Sequence, residues 1–320
     1  MSKIVQCVPN FSEGRDNGKI NDIVSVLKNK TGFKCISVEP DGDYNRTVVT
    51  LLGDPQAIIE ALPLFVEKVL HHIDMNHQEG EHPRMGAVDV IPFIPIQDTT
   101  MEECVGYANS IAKIIWEMFK IPSFMYAEAA TTISRKKLPN IRKGEFEGMK
   151  SKIKEEKWYP DYGTPAIHPT FGVIGIGARI PLIAYNIDLD TSDIEVAKKI
   201  SRTIRFSSGG FRFIQAGPAL LESRGHVQVT MNILDYKKNP IYRILETVKM
   251  EALQYGVKVP SCELVGLAPR DTFIRSLRYY FACENQAFDS KMSDQEIIKF
   301  AHEKMGFREL ELTKIIEANL

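Results

Sequence analysis

The feature that most constrains the fold is an order of elements that occurs twice. In the first half, a short apolar strand over residues 3–8 leads through the polar turn PNFSEG into a helix over 16–28, with Ile20, Ile23, Val24 and Leu27 at helical spacing. Strands at 33–39 and 46–52 flank the acidic turn PDGDYN. A helix over 55–72 then starts with proline in its first turn, where the missing N–H has no helical partner to lose, and a strand over 87–96 closes the unit. The second half repeats the order: strand 181–188, helix 192–204, strands 211–216 and 227–234, helix 240–255, strand 261–267. This βαββαβ order is the split βαβ, or ferredoxin-like, unit. The expectation is therefore an α+β chain of two ferredoxin-like subdomains with mainly antiparallel sheets, divided as 1–178 and 179–320, whose seam lies near the Gly-rich stretch 172–179. A helix over 101–119 and a strand over 123–129 extend the first unit. Residues 134–162, rich in Lys, Arg and Glu, read as one or two surface helices, and 293–320 as one or two amphipathic helices.

With 320 residues the chain can bury a sizeable core, and a formal net charge of −1 supplies no broad basic field for nucleic acid or anionic lipid. Cys7, Cys35, Cys104, Cys262 and Cys283 form no CxxC pair, so neither a zinc ribbon nor a disulfide framework is indicated. There is no apolar leader and no uninterrupted apolar stretch of membrane-spanning length, which makes the cytoplasm the expected compartment.

Chemistry concentrates in HQEGEHPRMGAVDVIPFIP, residues 77–95, where Glu79, Glu81, His82 and Arg84 run directly into a core strand. Pro83 keeps His82 out of the helical region, so a fixed loop carries an imidazole that titrates near neutrality. His71, His72, His77, Glu79, Glu81 and His82 are rich in metal-ligand atoms, but the HExxH spacing is absent and glycine and proline interrupt the run. No metal is expected. Arg46 and Arg84 are candidate carboxylate clamps, because guanidinium binds carboxylates in bidentate fashion. Asn10 and Asn45 offer amides, and Glu39, Asp41 and Asp43 crowd one turn where a carboxylate could stabilise a cation or orient His82. In HVQVTMN, Gln228 and Asn232 project to one strand face while Val229 and Met231 project to the other. Lys136, Lys137, Arg142 and Lys143 read as a solvated helical face. Gly172, Gly175 and Gly177 form GxxGxG, which is not the dinucleotide fingerprint.

Six stretches in order, CVPNFSEG, DYNRTVVTLLG, GEHPRMGAVDVIPFIP, LIAYNIDL, HVQVTMNILDY and ELVGLAP, resemble the formiminotransferase domain of glutamate formimidoyltransferase and span nearly the whole chain. The resemblance implies transfer of a formimino group from N-formiminoglutamate to tetrahydrofolate, two ferredoxin-like subdomains and a homodimer. It also implies that a separate protein performs the cyclodeaminase step that some members carry as a fused domain. His82 matches the family's catalytic histidine. GTPAIHPTFG, that is Gly163, Thr164, Pro165, Ala166, Ile167, His168, Pro169, Thr170, Phe171 and Gly172, matches its folate-contacting stretch. Tetrahydrofolate is then a co-substrate. Two other readings stay open: formyl transfer between N-formylglutamate and tetrahydrofolate by the same tetrahedral chemistry, and a folate-binding protein without turnover.

Overall fold

Side-chain caps set where the first helices begin. Asp16 accepts from the N–H groups of Gly18 and Lys19 at the start of α1 (Asn17–Ser25), and Asp54 caps α2 (Pro55–His72), whose first residue is proline. Thr100 and Glu103 form a reciprocal capping box on α3 (Met101–Phe119). The structure, a computed structural model, describes residues 3–221 and 224–320, and the chain divides into the units Met1–Ile180 and Pro181–Leu320.

The first unit is a seven-stranded mixed sheet. β1 (Ile4–Cys7) and β2 (Asn10–Phe11) run end to end between β4 (Arg46–Gly53) and β5 (Val88–Gln97), and β3 (Phe33–Asp41) pairs along β4; all of these pairings are antiparallel. Two more strands continue the sheet in parallel, β7 (Ile174–Ala178) along β5 and β6 (Ser123–Ala127) along β7. α1, α2 and α3 cover one face, where Phe11, Val49, Leu51, Ile91 and Phe93 meet Ile23, Phe65 and Ile111. Each such fully buried side chain contributes roughly 1.5–3 kcal/mol. Against the opposite face, α4 (Leu138–Arg142) and α5 (Glu145–Lys152) bring Ile141 and Met149 onto Val90, Phe124 and Tyr126. Register places Asn10 and Glu39 opposite Val48, and Asp41 opposite Arg46, so these polar residues share that second face.

The second unit is an antiparallel sheet ordered β11 (Cys262–Val265), β8 (Ile183–Leu189), β10 (His226–Ile233), β9 (Ile214–Leu221). α6 (Ile194–Ile204), α7 (Ile241–Leu253) and α8 (Arg270–Cys283) pack against Tyr185, Ile187, Val227, Val229 and Met231. In both units the first strand of the βαββαβ order lies between the fourth and the third, and the second pairs along the outer side of the third.

Three features differ from the sequence reading. The Gly-rich stretch expected at the seam is β7, a fully buried strand; at Gly177 a Cβ would stand 2.5 Å from the Tyr126 carbonyl oxygen, so only glycine permits that approach. β9 begins at Ile214 rather than 211, after Phe213 with φ of 70° turns the chain into the sheet. α8 was not anticipated, although Phe273, Leu277, Tyr280 and Phe281 follow helical spacing and are buried.

Candidate active site

His82 lies in the irregular segment between α2 and β5, and the turn joining β3 to β4 fixes its position. Its N–H donates to the Tyr44 carbonyl at 3.3 Å, and that of Glu81 to Asp43 at 3.3 Å. Asn45, in the left-handed region with φ of 48°, ties three segments together. Its Nδ2 donates to Glu79 O, its Oδ1 accepts from Gly14 N–H, and its carbonyl accepts from Gln78 Nε2. At Gly80 a Cβ would fall 2.5 Å from the Tyr44 carbonyl oxygen, so the loop sits flush on the turn. Asn45 is thus occupied by the scaffold.

This placement buries His82 to 6% exposure and sets Nε2 3.5 Å from Oδ2 of Asp89, itself 1% exposed. Asp89 occupies a β-bulge. Asn10 of β2 pairs with Val90 and Phe11 with Val88, which leaves Asp89 as the extra residue of β5. Val88 faces the α1–α3 core and Val90 the opposite cluster, and the bulge accommodates this change between them. Asp89 Oδ1 accepts from Met85 N–H at 3.0 Å, while Oδ2 makes a short ion pair with Arg142, the last residue of α4. Burial would raise the Asp89 carboxyl, but Arg142 and then His82 hold it well below the usual carboxylate range. Burial lowers His82 below the ordinary imidazole value, and Asp89 only partly offsets that. The imidazole is therefore neutral at neutral pH and able to accept a proton.

Arg46 lies close enough to repel the protonated imidazole. Its guanidinium stacks on the Tyr44 ring, 5.4 Å from the centroid, and its Nε is buried without a hydrogen-bond partner among the described residues. Burial lowers its affinity for its proton, with Asp41 and Tyr44 opposing. A desolvated guanidinium of this kind suits an anionic ligand. Arg84 differs: it donates to Gln78 and pairs with Glu145 and Glu147, both at 2.8 Å, and so pins α5 to the loop. Asn10 donates to Val8 O, and Asp41 accepts from the N–H groups of Asp43 and Tyr44. Glu39 lies on the same face as Arg46.

Residues 163–172 run beside the His82 loop. Thr170 O accepts from Met75 N–H, Phe171 O from Ala87 N–H, and Gly172 bridges Gly86. His168 and Gly172 bond each other through both backbone groups, closing a tight turn. Nδ1 of His168 accepts from Phe171 N–H, which makes it the unprotonated nitrogen of the neutral ring. Gly163, Thr164, Pro165 and Ala166 are exposed; Ile167, His168 and Thr170 are half-buried, Pro169 is exposed, and Phe171 and Gly172 are buried.

In the second unit, Gln228 is buried and donates to Asp188 at 2.6 Å and Glu263 at 3.0 Å, whereas Asn232 is exposed. Its sheet face is satisfied internally at Gln228. Arg142, expected on a solvated face, instead reaches inward to Asp89, while Lys136, Lys137 and Lys143 are exposed. Sequence reasoning missed Asp89 and Arg142, and also Tyr126 and Arg179, which join the same charge cluster. An acid inside the apolar run AVDVIPF was the available signal for Asp89; Arg142 stands in the sequence only as one member of a basic helical face. No three His, Cys, Asp or Glu side chains are grouped as a metal site would require among the described residues, and no described helix is long and apolar enough to cross a membrane.

A buried imidazole–carboxylate pair beside a desolvated guanidinium has the chemistry to move a proton and to meet an anion. Comparison with known proteins gives the family. The profile of the formiminotransferase domain, N-terminal subdomain, matches residues 4–179, and that of the formiminotransferase domain matches 184–318. The chain is 43% identical to glutamate formimidoyltransferase of Streptococcus pyogenes over 93% of its own length and 100% of that protein's, and 43% identical to that of Thermoplasma acidophilum over 87% and 92%. It is 38% identical to formimidoyltransferase-cyclodeaminase of Dictyostelium discoideum over 89% of its own length and 54% of that protein. The chain belongs to the formiminotransferase domain family.

Proposed function

We infer that the protein is a glutamate formimidoyltransferase, moving the formimino group of N-formimino-L-glutamate to N5 of tetrahydrofolate with release of L-glutamate. The observation that carries the site assignment is the buried His82 of the first unit, whose Nε2 stands 3.5 Å from the Asp89 carboxylate and whose protonated form Arg46 disfavours. Attack of N5 on the amidine carbon gives a tetrahedral carbon bearing three nitrogens, with the extra proton on N5. His82 takes that proton and delivers it to the glutamate nitrogen, the C–N bond to glutamate breaks, and 5-formiminotetrahydrofolate remains. Arg46 holds a carboxylate of the donor, and Asn10, Glu39 and Asp41 line the same sheet face. Folate lies along residues 163–172, whose glycines and prolines give a stiff edge that a flat ring can approach. Arg84, held by two glutamates, serves the loop, and Gln228, whose amide is taken up by Asp188 and Glu263, serves the sheet of the second unit.

The two units are read as ferredoxin-like subdomains, 1–178 and 179–320; the strand order common to both supports this. The functional form is a cytoplasmic homodimer, and a cyclodeaminase activity consumes the product. Purified protein should consume N-formiminoglutamate only when tetrahydrofolate is present, and His82→Ala should lower kcat at least about a hundredfold. Turnover of N-formylglutamate in preference to the formimino donor would redirect the assignment, and folate binding without turnover of either would end it.

A further inference from the structure

Within the site, one carboxylate oxygen has two claimants. Asp89 Oδ2 makes its short contact with Arg142, and His82 Nε2 stands at 3.5 Å from the same atom, buried and without a well-aligned hydrogen bond among the described residues. The other oxygen is committed to Met85 N–H. We propose that Asp89 is the positioning residue that orients His82 and sets its basicity, and that Arg142 limits how much of the Asp89 charge the imidazole receives; this rests on His82 as the acid–base group. The groups around the pair come from three elements. Arg46 of β4 and Arg142 of α4 bear on His82, and Arg142, Arg46 and Tyr126 of β6 bear on Asp89.

The two partners act on the imidazole with opposite sign. Removing the Asp89 charge makes the imidazolium harder to form, whereas removing the Arg142 charge makes it easier. A base is active when unprotonated, so the acid limb of kcat/KM follows the imidazole. Asp89→Asn retains an oxygen for Met85 N–H and should move that limb to lower pH by roughly one pH unit, with kcat down about tenfold and donor KM changed less. Arg142→Gln should move the limb the other way, and Arg142→Lys should return it toward the wild-type position.

The test measures pH profiles of kcat/KM for wild type, Asp89→Asn, Arg142→Gln and Arg142→Lys, with His82 titrated by nitrogen-detected NMR in each. Opposite displacements of both limb and titration, with lysine restoring position 142, are the expected result. Limbs that stay in place or move together while activity falls would overturn the proposal, because lost packing alone gives no opposed shifts. His82→Ala, assayed alongside, separates the two readings: if it keeps near-normal activity, the role of His82 fails first, whereas an inactive His82→Ala beside unmoved limbs refutes the positioning role alone.

Discussion

Arg46 is held at a cost in stability. A desolvated guanidinium whose buried Nε has no hydrogen-bond partner among the described residues costs free energy that the stack on Tyr44 recovers only in part. Arg46→Met should therefore melt at a temperature equal to or above wild type, a gain on the order of 1 kcal/mol, while donor KM rises roughly ten- to a hundredfold from the loss of a charge-assisted contact. Glutamate should raise the melting temperature of wild type but not of this variant. A variant both less stable and unchanged in KM would show Arg46 to be structural. The candidate role of Arg46 could be read in the sequence because its residue type suits carboxylates. The engagement of Arg84 could not, since Glu145 and Glu147 lie more than sixty residues away and meet it only when α5 folds back.

At the level of elements, the site depends on how a loop, a turn and a bulge interlock. The His82 loop has no secondary structure of its own; three bonds through Asn45 and the close approach of Gly80 hold it on the β3–β4 turn. Gly80→Ala would press a methyl group into the Tyr44 carbonyl. The expected cost is roughly 1–3 kcal/mol, with faster amide exchange over residues 78–84 and lower kcat. Unchanged exchange there would mean that the loop is held in another way. Element order was readable from hydrophobic spacing because strands and helices impose periods of two and 3.6 residues. The bulge at Asp89 was not, since one extra residue leaves an apolar run looking regular and its register depends on β2, nearly eighty residues earlier. α4 is equally opaque: a short polar helix resembles a solvated one until its last residue is seen to reach Asp89.

For the whole molecule, each unit keeps its own hydrophobic core, drawn from residues on its own side of the division at Ile180. The twofold repeat of element order was enough to anticipate the four repeated strands of each sheet, because the pattern of apolar residues is complete within each half. The strand β7 was harder to see, because it is built from glycines and small apolar residues that read as a connector. Helices on one side of a sheet also divide a strand between two sets of demands. Along β10, Val227, Val229, Met231 and Ile233 fill the core, while His226, Thr230 and Asn232 alternate with them on the other side. A substitution scan of that strand should show tolerance rising and falling with a period of two, interrupted at Gln228, whose amide joins Asp188 to Glu263. Uniform intolerance would mean that both sides are equally constrained. If the period is seen, the strand carries two nearly independent inheritances, and the polar side of such a sheet is free to acquire new chemistry while the packed side goes on specifying the same fold.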